Sequence, residues 1–259
     1  MPRSETLPVD DEDDAADWQR RVVGRSLNGA RRRSIDRGAR LIRAAAKVLE
    51  RNGGESLTVQ EVADEAGQSL RTLYQYFASK DDLLLAVFEE AMRTYAVLIR
   101  SAIEPLRDPV ERLAGGLIAS ARISALHDKA GVDRGLSRLR LQLGQADPAL
   151  VARSQEPVTT LYRELVEAAL PKAKGDLGVD AATYFLVSAR TSFLLSSTLG
   201  NDLAVELPET LDLSSFCLGG IGIQKPRAWH EEVEAALDLA GSDGRSILRR
   251  LAKGTSRNI

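Results

Sequence analysis

Residues Leu57–Lys80 have the sequence LTVQEVADEAGQSLRTLYQYFASK, which predicts two short helices joined by a tight turn. Thr58 and Glu61 have the spacing of a capping box, in which each side chain satisfies an unpaired amide at a helix N-terminus. Apolar residues then recur at helical spacing as far as Gly67, which suits the left-handed conformation that ends many helices. This stretch is therefore a candidate helix-turn-helix.

The second helix of this pair is predicted over residues 70–77, with Ser69 as its N-terminal cap. Leu73 and Phe77 are spaced to pack inward. The outer face then carries donors suited to base edges and phosphates, which are Arg71, Thr72, Gln75 and Tyr76. A helix pair of this kind is also common as plain scaffold, so periodicity alone leaves both interpretations open.

The string TLYQYFASKDDLL, which begins at Thr72, resembles the signature of the tetracycline-repressor (TetR) family of regulators. The upstream string from Thr58 to Gly67 follows the same family pattern, T-V-x-E-V-A-x-x-A-G. The resemblance covers about residues 34–87. Gln68 and Leu70 depart from the common pattern at the entrance of the second helix, where this chain's base preference is expected to differ.

The resemblance implies a reading helix that enters the DNA major groove. Tyr74 and Lys80 match motif positions that imply phosphate contacts, whereas Arg71 and Gln75 are expected to contact bases. The full set of predicted DNA-binding residues is Thr58, Ser69, Arg71, Thr72, Tyr74, Gln75, Tyr76 and Lys80.

Charge is unevenly distributed along the 259 residues, although the net charge is only −2. Residues 10–17 hold six acids and no base, and residues 20–43 hold nine arginines and one acid. Residues 1–30 are predicted to be a disordered arm, acidic and then basic. The run Arg31-Arg32-Arg33 is either a solvated charged segment or an arm that contacts phosphates or the minor groove.

Every strong pattern after Pro105 is helical, so the predicted fold class is all-α. The expected organisation is the arm at 1–30, a helix-turn-helix domain at 31–79, a helical ligand-binding and dimerisation domain at 80–241, and a basic tail at 242–259. A long helix that begins at Lys80 joins the two domains. The family resemblance implies that the apolar helices at 180–203 and 211–221 form a dimer interface.

Arg190 is the only charged residue in the apolar stretch 181–201, and a buried arginine needs a partner. That partner is either a structural carboxylate or helix C-terminus, or an anionic ligand held by two parallel hydrogen bonds. Arg122 and Tyr162 are candidates for the same cavity. Their alternative roles are a surface cation and an ordinary aromatic at the edge of the core.

Sequence motifs for catalysis, metals and cofactors are lacking. The two histidines, His127 and His230, lie in separate segments, and no metal-ligand spacing, phosphate-binding loop or nucleophile elbow occurs. The glycines in residues 218–222 lack the context of a nucleotide loop. No catalytic residue, metal or cofactor is therefore predicted, and an enzyme is not expected.

The single cysteine, Cys217, and the acidic N-terminus without an apolar segment favour a cytoplasmic protein with no membrane partner. The predicted function is a dimeric regulator, expected to be a repressor, that binds a palindromic operator in double-stranded DNA. A small-molecule effector of hydrophobic or anionic character is expected to release it. The alternative is a helical partner-binding scaffold, or an enzyme on a helical fold, without DNA binding.

Overall fold

The computed structural model describes residues 17–52, 57–128, 132–146, 148–199 and 210–239. Every regular element within these ranges is helical, which confirms the predicted all-α fold. The α-helices are α1 (Asp17–Arg51), α2 (Val59–Ala66), α3 (Leu70–Tyr76), α4 (Lys80–Ala102), α5 (Pro109–Asp128), α6 (Val132–Ala146), α7 (Pro148–Ser154), α8 (Glu156–Ala169), α9 (Val179–Leu199), α10 (Thr210–Gly220) and α11 (Arg227–Ala235), with a short 3-10 helix at Leu170–Lys172.

The first helix is longer than the sequence pattern predicts. It begins at Asp17, so residues 17–30 of the predicted arm are helical rather than irregular. No proline occurs between residues 9 and 104, which leaves this stretch without the strongest helix breaker. The side chain of Ile35 is 59% exposed although it is large and apolar. The buried stripe begins instead at Leu41.

The chain divides after Arg40 into two compact units. Arg31, Arg32 and Arg33 are exposed in the first unit. Most of the predicted acidic segment and the basic tail at 242–259 lie outside the described residues.

Local capping fixes the helix-turn-helix. The amide of Glu61 donates to Thr58 Oγ1 at 3.2 Å, and the amide of Thr58 donates to Glu61 Oε2 at 2.7 Å, which completes the predicted capping box. Gly67 ends α2 with a φ of 62°. The Ser69 hydroxyl accepts from the amide of Thr72 at 3.1 Å, so α3 has the cap that the sequence predicts.

The N-terminal cap of α4 differs in one detail from a capping box. The Ser79 hydroxyl accepts from the amide of Asp82, as in a capping box. The Asp82 carboxylate, however, accepts from the amide of Ala78 rather than from that of Ser79. The helix then runs for 23 residues to Ala102 and buries an apolar face along its length.

Helix α5 lies at the centre of the remaining bundle and packs against α4, α6, α8, α9, α10 and α11. Gly116 allows α8 to approach closely, because a Cβ atom there would lie 3.0 Å from Leu165 Cδ1. Pro157 lies in the first turn of α8, after a break between α7 and α8. Its missing amide costs no helical hydrogen bond at that position.

Candidate DNA-binding surface and effector site

The outward face of α3 carries three exposed side chains that are suited to DNA. Arg71, Tyr74 and Gln75 are all exposed, because Leu73 lies on the opposite face and is fully buried. Thr58, Ser69 and Lys80 are also exposed, at the N-termini of α2, α3 and α4, respectively. These six predicted DNA-binding residues are thus accessible on one short structural segment, and their contacts with DNA remain a prediction.

The other two predicted DNA-binding residues are partly engaged within the protein. Thr72 is half-buried and its hydroxyl shares a 3.0 Å hydrogen bond with the Ser69 hydroxyl. Tyr76 is half-buried and packs against the hydrophobic core. Both side chains therefore have a structural role beside the predicted contact.

The two departures from the family pattern also have local structural roles. The Gln68 side-chain amide donates to the Gly67 carbonyl oxygen at 3.0 Å, inside the turn. Leu70 is half-buried against the core.

Two ion pairs join α1 to α2, since Lys47 and Arg51 each lie 3.3 Å from Glu65. These pairs are largely exposed, so they orient the helices more than they stabilise them.

A second candidate site lies inside the helical bundle around Arg190. This arginine is only 5% exposed, and its guanidinium carbon lies 4.9 Å from the ring centroid of Tyr95 and 5.4 Å from that of Tyr162. The partner that sequence analysis expected was a carboxylate, a helix C-terminus or a ligand. The structure instead places two aromatic rings there, each of which attracts the cation through its negative face.

Backbone carbonyls of α5 anchor both tyrosines. The Tyr95 hydroxyl donates to the carbonyl oxygen of Ser120 at 2.5 Å, and the Tyr162 hydroxyl donates to that of Gly116 at 2.8 Å. Burial raises the pKa of Tyr162, so the phenol stays protonated. Burial acts to lower the pKa of Arg190, but its interactions with the two tyrosines outweigh this effect and raise that pKa. The guanidinium is therefore charged.

Arg122 does not join this cluster. Its guanidinium forms an ion pair with Glu234 of α11, and its side chain is 45% exposed. Ser120 faces the tyrosines, and a residue two positions later points to the opposite side of a helix with 3.6 residues per turn. The expectation that Arg122 lines the Arg190 cavity is therefore wrong, and its interpretation as a surface cation agrees with the structure.

Sequence reasoning missed a second arginine near Arg190. Arg140 of α6 is half-buried, and burial together with the positive charge of Arg190 lowers its pKa. It also lines a groove of about 550 Å³ that extends along α7, α8 and α9. In the sequence, Arg138 and Arg140 alternate with leucines and look like an ordinary solvated helix face, so no sequence signal distinguished Arg140.

The described ranges contain no group of three His, Cys, Asp or Glu side chains that could hold a metal ion. Among the helices that the structure describes, none is long and apolar enough to cross a membrane.

Residues 41–87 match the family model of the bacterial regulatory proteins of the tetR family. Over this segment the chain is similar to the TetR family. This match includes α2, α3 and the start of α4, where the predicted DNA-binding residues lie. It confirms the resemblance drawn from the motif at residues 58–83.

Two curated relatives carry the names of HTH-type transcriptional regulators. The HTH-type transcriptional regulator HbdR of Aromatoleum sp. (strain CIB) is 38% identical over 78 residues, which are 30% of this chain and 34% of the relative. The HTH-type transcriptional activator FasR of Mycolicibacterium smegmatis is 32% identical over 101 residues, 39% of this chain and 46% of the relative. The chain thus spans a third to a half of the length of these relatives.

Two solved structures share the fold over most of the chain. The structure of RolR in complex with resorcinol has a TM-score of 0.60 and 20% identity, and the match covers 79% of this chain and 95% of RolR. FadR from Bacillus subtilis in complex with stearoyl-CoA has a TM-score of 0.52 and 21% identity, with 71% and 96% covered. At this identity the likeness concerns the fold.

Proposed function

We propose that the protein is a ligand-responsive transcriptional regulator that binds double-stranded DNA as a homodimer. The observation that carries this proposal is the exposed face of α3, where Arg71, Tyr74 and Gln75 project from a helix that Ser69 caps. The same segment matches the TetR-family model. Such a helix fits the major groove and reads only a few base pairs.

A homodimer on a palindromic operator supplies the specificity that one short helix lacks. Two reading helices about 34–36 Å apart contact successive major grooves on one side of the duplex. Exposed aromatic side chains on α9 and α10 support such a pairing, since Tyr184 is 68%, Phe185 59% and Phe216 73% exposed. Aromatic residues are enriched at protein interfaces.

A small-molecule effector fits the bundle that follows α4. The neighbouring RolR and FadR structures contain resorcinol and stearoyl-CoA, respectively. In this chain the Arg190 cluster includes Tyr95, which lies on α4, and α4 begins four residues after the reading helix α3 ends. An effector that changes the packing around Tyr95 therefore acts on the helix that carries the DNA-binding head.

The regulatory mechanism follows from this connection. The effector-free dimer binds the operator, and the effector favours a second arrangement of α4 in which the two reading helices are wrongly spaced. The effector shifts the balance only by its differential affinity for the two arrangements. We propose repression relieved by the effector, with action in the cytoplasm, where bacterial DNA is accessible. Activation is the alternative to repression, because the relative FasR is named an activator. A transcription assay distinguishes the two.

The decisive experiment is a mobility-shift assay on the DNA that flanks the protein's own gene, at several salt concentrations. Specific binding that weakens steeply with salt is expected, because phosphate contacts release counterions. A scrambled duplex of the same length is the control. Absence of binding to any duplex at low salt would reject this proposal and favour the helical scaffold or enzyme.

A further inference from the structure

Two arginines lie close together inside the bundle without a carboxylate to neutralise them. Arg190 on α9 is almost fully buried, and Arg140 lies on α6, which packs against α9. Among the described residues neither forms an ion pair, and the Nε atom of each is buried without a hydrogen-bond partner. The tyrosines around Arg190 supply ring faces and hydroxyl groups but no negative charge. Buried charges in folded proteins are normally paired, so the described part of this site has positive charge that no described carboxylate compensates.

A third buried polar group without a hydrogen-bond partner lies on the same helix as Arg190. Thr183 of α9 is only 4% exposed, and its hydroxyl oxygen has no hydrogen-bond partner. Thr183, Val187 and Arg190 are spaced by four and three residues, so they share one face of α9. Thr183 and Val187 line the 550 Å³ groove together with Arg140. The lining of this groove therefore includes both an unpaired hydroxyl, that of Thr183, and a positive charge, that of Arg140.

The other charged side chains of the groove do not neutralise Arg140. Arg163 forms an ion pair with Asp180, so these two charges compensate each other. Glu156 is exposed to water and accepts a hydrogen bond from the Thr160 hydroxyl at 3.2 Å. Among the described residues that line the groove, Arg140 thus carries the uncompensated positive charge, and the charge of Arg190 acts on it from α9.

We infer that this groove binds a small organic anion, whose carboxylate or phosphate lies between the Arg140 guanidinium and the Thr183 hydroxyl. The charge of Arg190 lies behind that position and strengthens the attraction. A volume of about 550 Å³ is within the range of small-molecule sites, and Val187 and Leu195 leave an apolar wall for the body of the ligand. The role of this anion as the effector rests on the proposed function, whereas its binding does not.

The first test uses no ligand and measures the thermal stability of the free protein at low ionic strength. Arg140→Gln removes a half-buried charge that is repelled by Arg190, so the melting temperature Tm should rise by roughly 2–4 °C. The matched control is Arg163→Gln, on the wall of the same groove, which breaks an ion pair and should lower Tm or leave it unchanged. A loss of stability in Arg140→Gln would show that Arg140 is a structural residue and would overturn the inference.

The second test measures binding with defined probes in the absence of DNA. Inorganic phosphate is compared with chloride at equal ionic strength, and benzoate with its neutral analogue benzamide. At least one anion should raise Tm of the wild-type protein, whereas chloride and benzamide should not. A response to phosphate alone, or to benzoate alone, assigns the head group.

The variants then locate the anion. Arg140→Gln should weaken the apparent affinity for the active probe about tenfold or more, as expected for a lost charge-assisted hydrogen bond. Arg140→Lys keeps the charge and should restore part of the response. Arg138→Gln, at an exposed position of the same helix outside the groove, should bind like the wild type. An equal response in wild type and Arg140→Gln, or no anion-specific response in the wild type, would reject the site.

Failure of this inference is distinguishable from failure of the proposed function. If an anion binds through Arg140 but leaves the affinity for operator DNA unchanged, the site stands and its regulatory role is lost. If operator DNA binds specifically but no anion binds, the DNA-binding proposal stands and the anion site is lost.

Discussion

The Arg190 guanidinium packs 4.9 Å from the ring of Tyr95, whose hydroxyl donates to the Ser120 carbonyl oxygen. These contacts link three helices, because Tyr95 lies on α4, Ser120 on α5 and Arg190 on α9. Helix α4 follows the reading helix after a short connection. A change in the packing of Arg190 can therefore displace α4 through the side chain of Tyr95, and α4 adjoins the proposed DNA-binding helices.

Comparison of Tyr95→Phe with Tyr162→Phe tests this route. Each variant keeps the ring beside Arg190 and removes a buried hydroxyl that donates to an α5 carbonyl oxygen, so each should lose at least about 0.5–1.5 kcal/mol of unfolding free energy in urea. Only Tyr95 lies on α4, so only Tyr95→Phe should also change the affinity for operator DNA, measured by fluorescence anisotropy. Equal DNA affinities in the two variants would argue against α4 as the connecting element.

The sequence predicts the helix-turn-helix well because its determinants are local. The caps at Thr58 and Ser69, the left-handed Gly67 and the spacing of Leu73 all act within a few residues. The Arg190 cluster is different, since its members come from α4, α5, α8 and α9. Helical periodicity identifies which face is apolar, but it does not specify which helices become neighbours.

Arg122 and Arg140 show that sequence periodicity does not specify which helices become neighbours. Arg122 was expected near Arg190, yet its direction on α5 takes it to Glu234. Arg140 was not expected there, because an arginine between leucines on an amphipathic helix has the pattern of a solvated residue. Only the packing of α6 against α9 distinguishes it from Arg138, which is exposed.

Gly222 is predicted to be the least replaceable glycine at the end of α10. Its φ is +82°, and a Cβ atom there would lie 2.5 Å from the backbone nitrogen of Gly175. Gly222→Ala should therefore cost roughly 1–3 kcal/mol of unfolding free energy in urea. Gly219→Ala is the matched control, because it lies within α10 and a Cβ atom there meets nothing within 4 Å. That control should be neutral or slightly stabilising, since alanine favours helix over glycine.

His230 is predicted to make folding sensitive to mild acid. It is 1% exposed, and its Nδ1 atom lies 3.2 Å from the Ser214 hydroxyl oxygen. Burial is the main cause that lowers the pKa of His230 below its ordinary value of 6.5. On acidification the unfolded chain takes up this proton first, so the stability present above about pH 6.5 is lost as the pH falls toward the folded-state pKa.

The measurement for His230 is the unfolding free energy in urea between pH 7.5 and pH 5. His230→Gln keeps a polar side chain beside Ser214 and should flatten this pH dependence. The only other histidine, His127, is present in both proteins, so the difference isolates His230. Parallel curves for the two proteins would contradict the prediction.

Thr58 is predicted to stabilise the first helix of the DNA-binding motif. Thr58→Ala removes the hydroxyl that accepts from the amide of Glu61, and loss of an N-terminal cap costs about 1 kcal/mol. Thr58→Ser keeps that acceptor and should retain most of the stability. Unfolding in urea followed by circular dichroism compares the three proteins, and equal midpoints would show that the cap contributes nothing.

Lys80 and Arg71 are predicted to contribute to DNA binding in different ways. Lys80→Ala should weaken binding to all duplexes alike and reduce the slope of log K against log salt by about one, as for one lost phosphate contact. Arg71→Ala should cost roughly 1–3 kcal/mol on the operator and relax preference at one base pair, if that pair presents guanine. Arg227→Ala, far along the chain on α11, is the control for general charge.

Anisotropy titrations on operator and scrambled duplexes at three salt concentrations separate the effects of Lys80→Ala and Arg71→Ala. Equal losses on both duplexes for both variants would refute this division, because a base contact must discriminate between sequences whereas a phosphate contact does not.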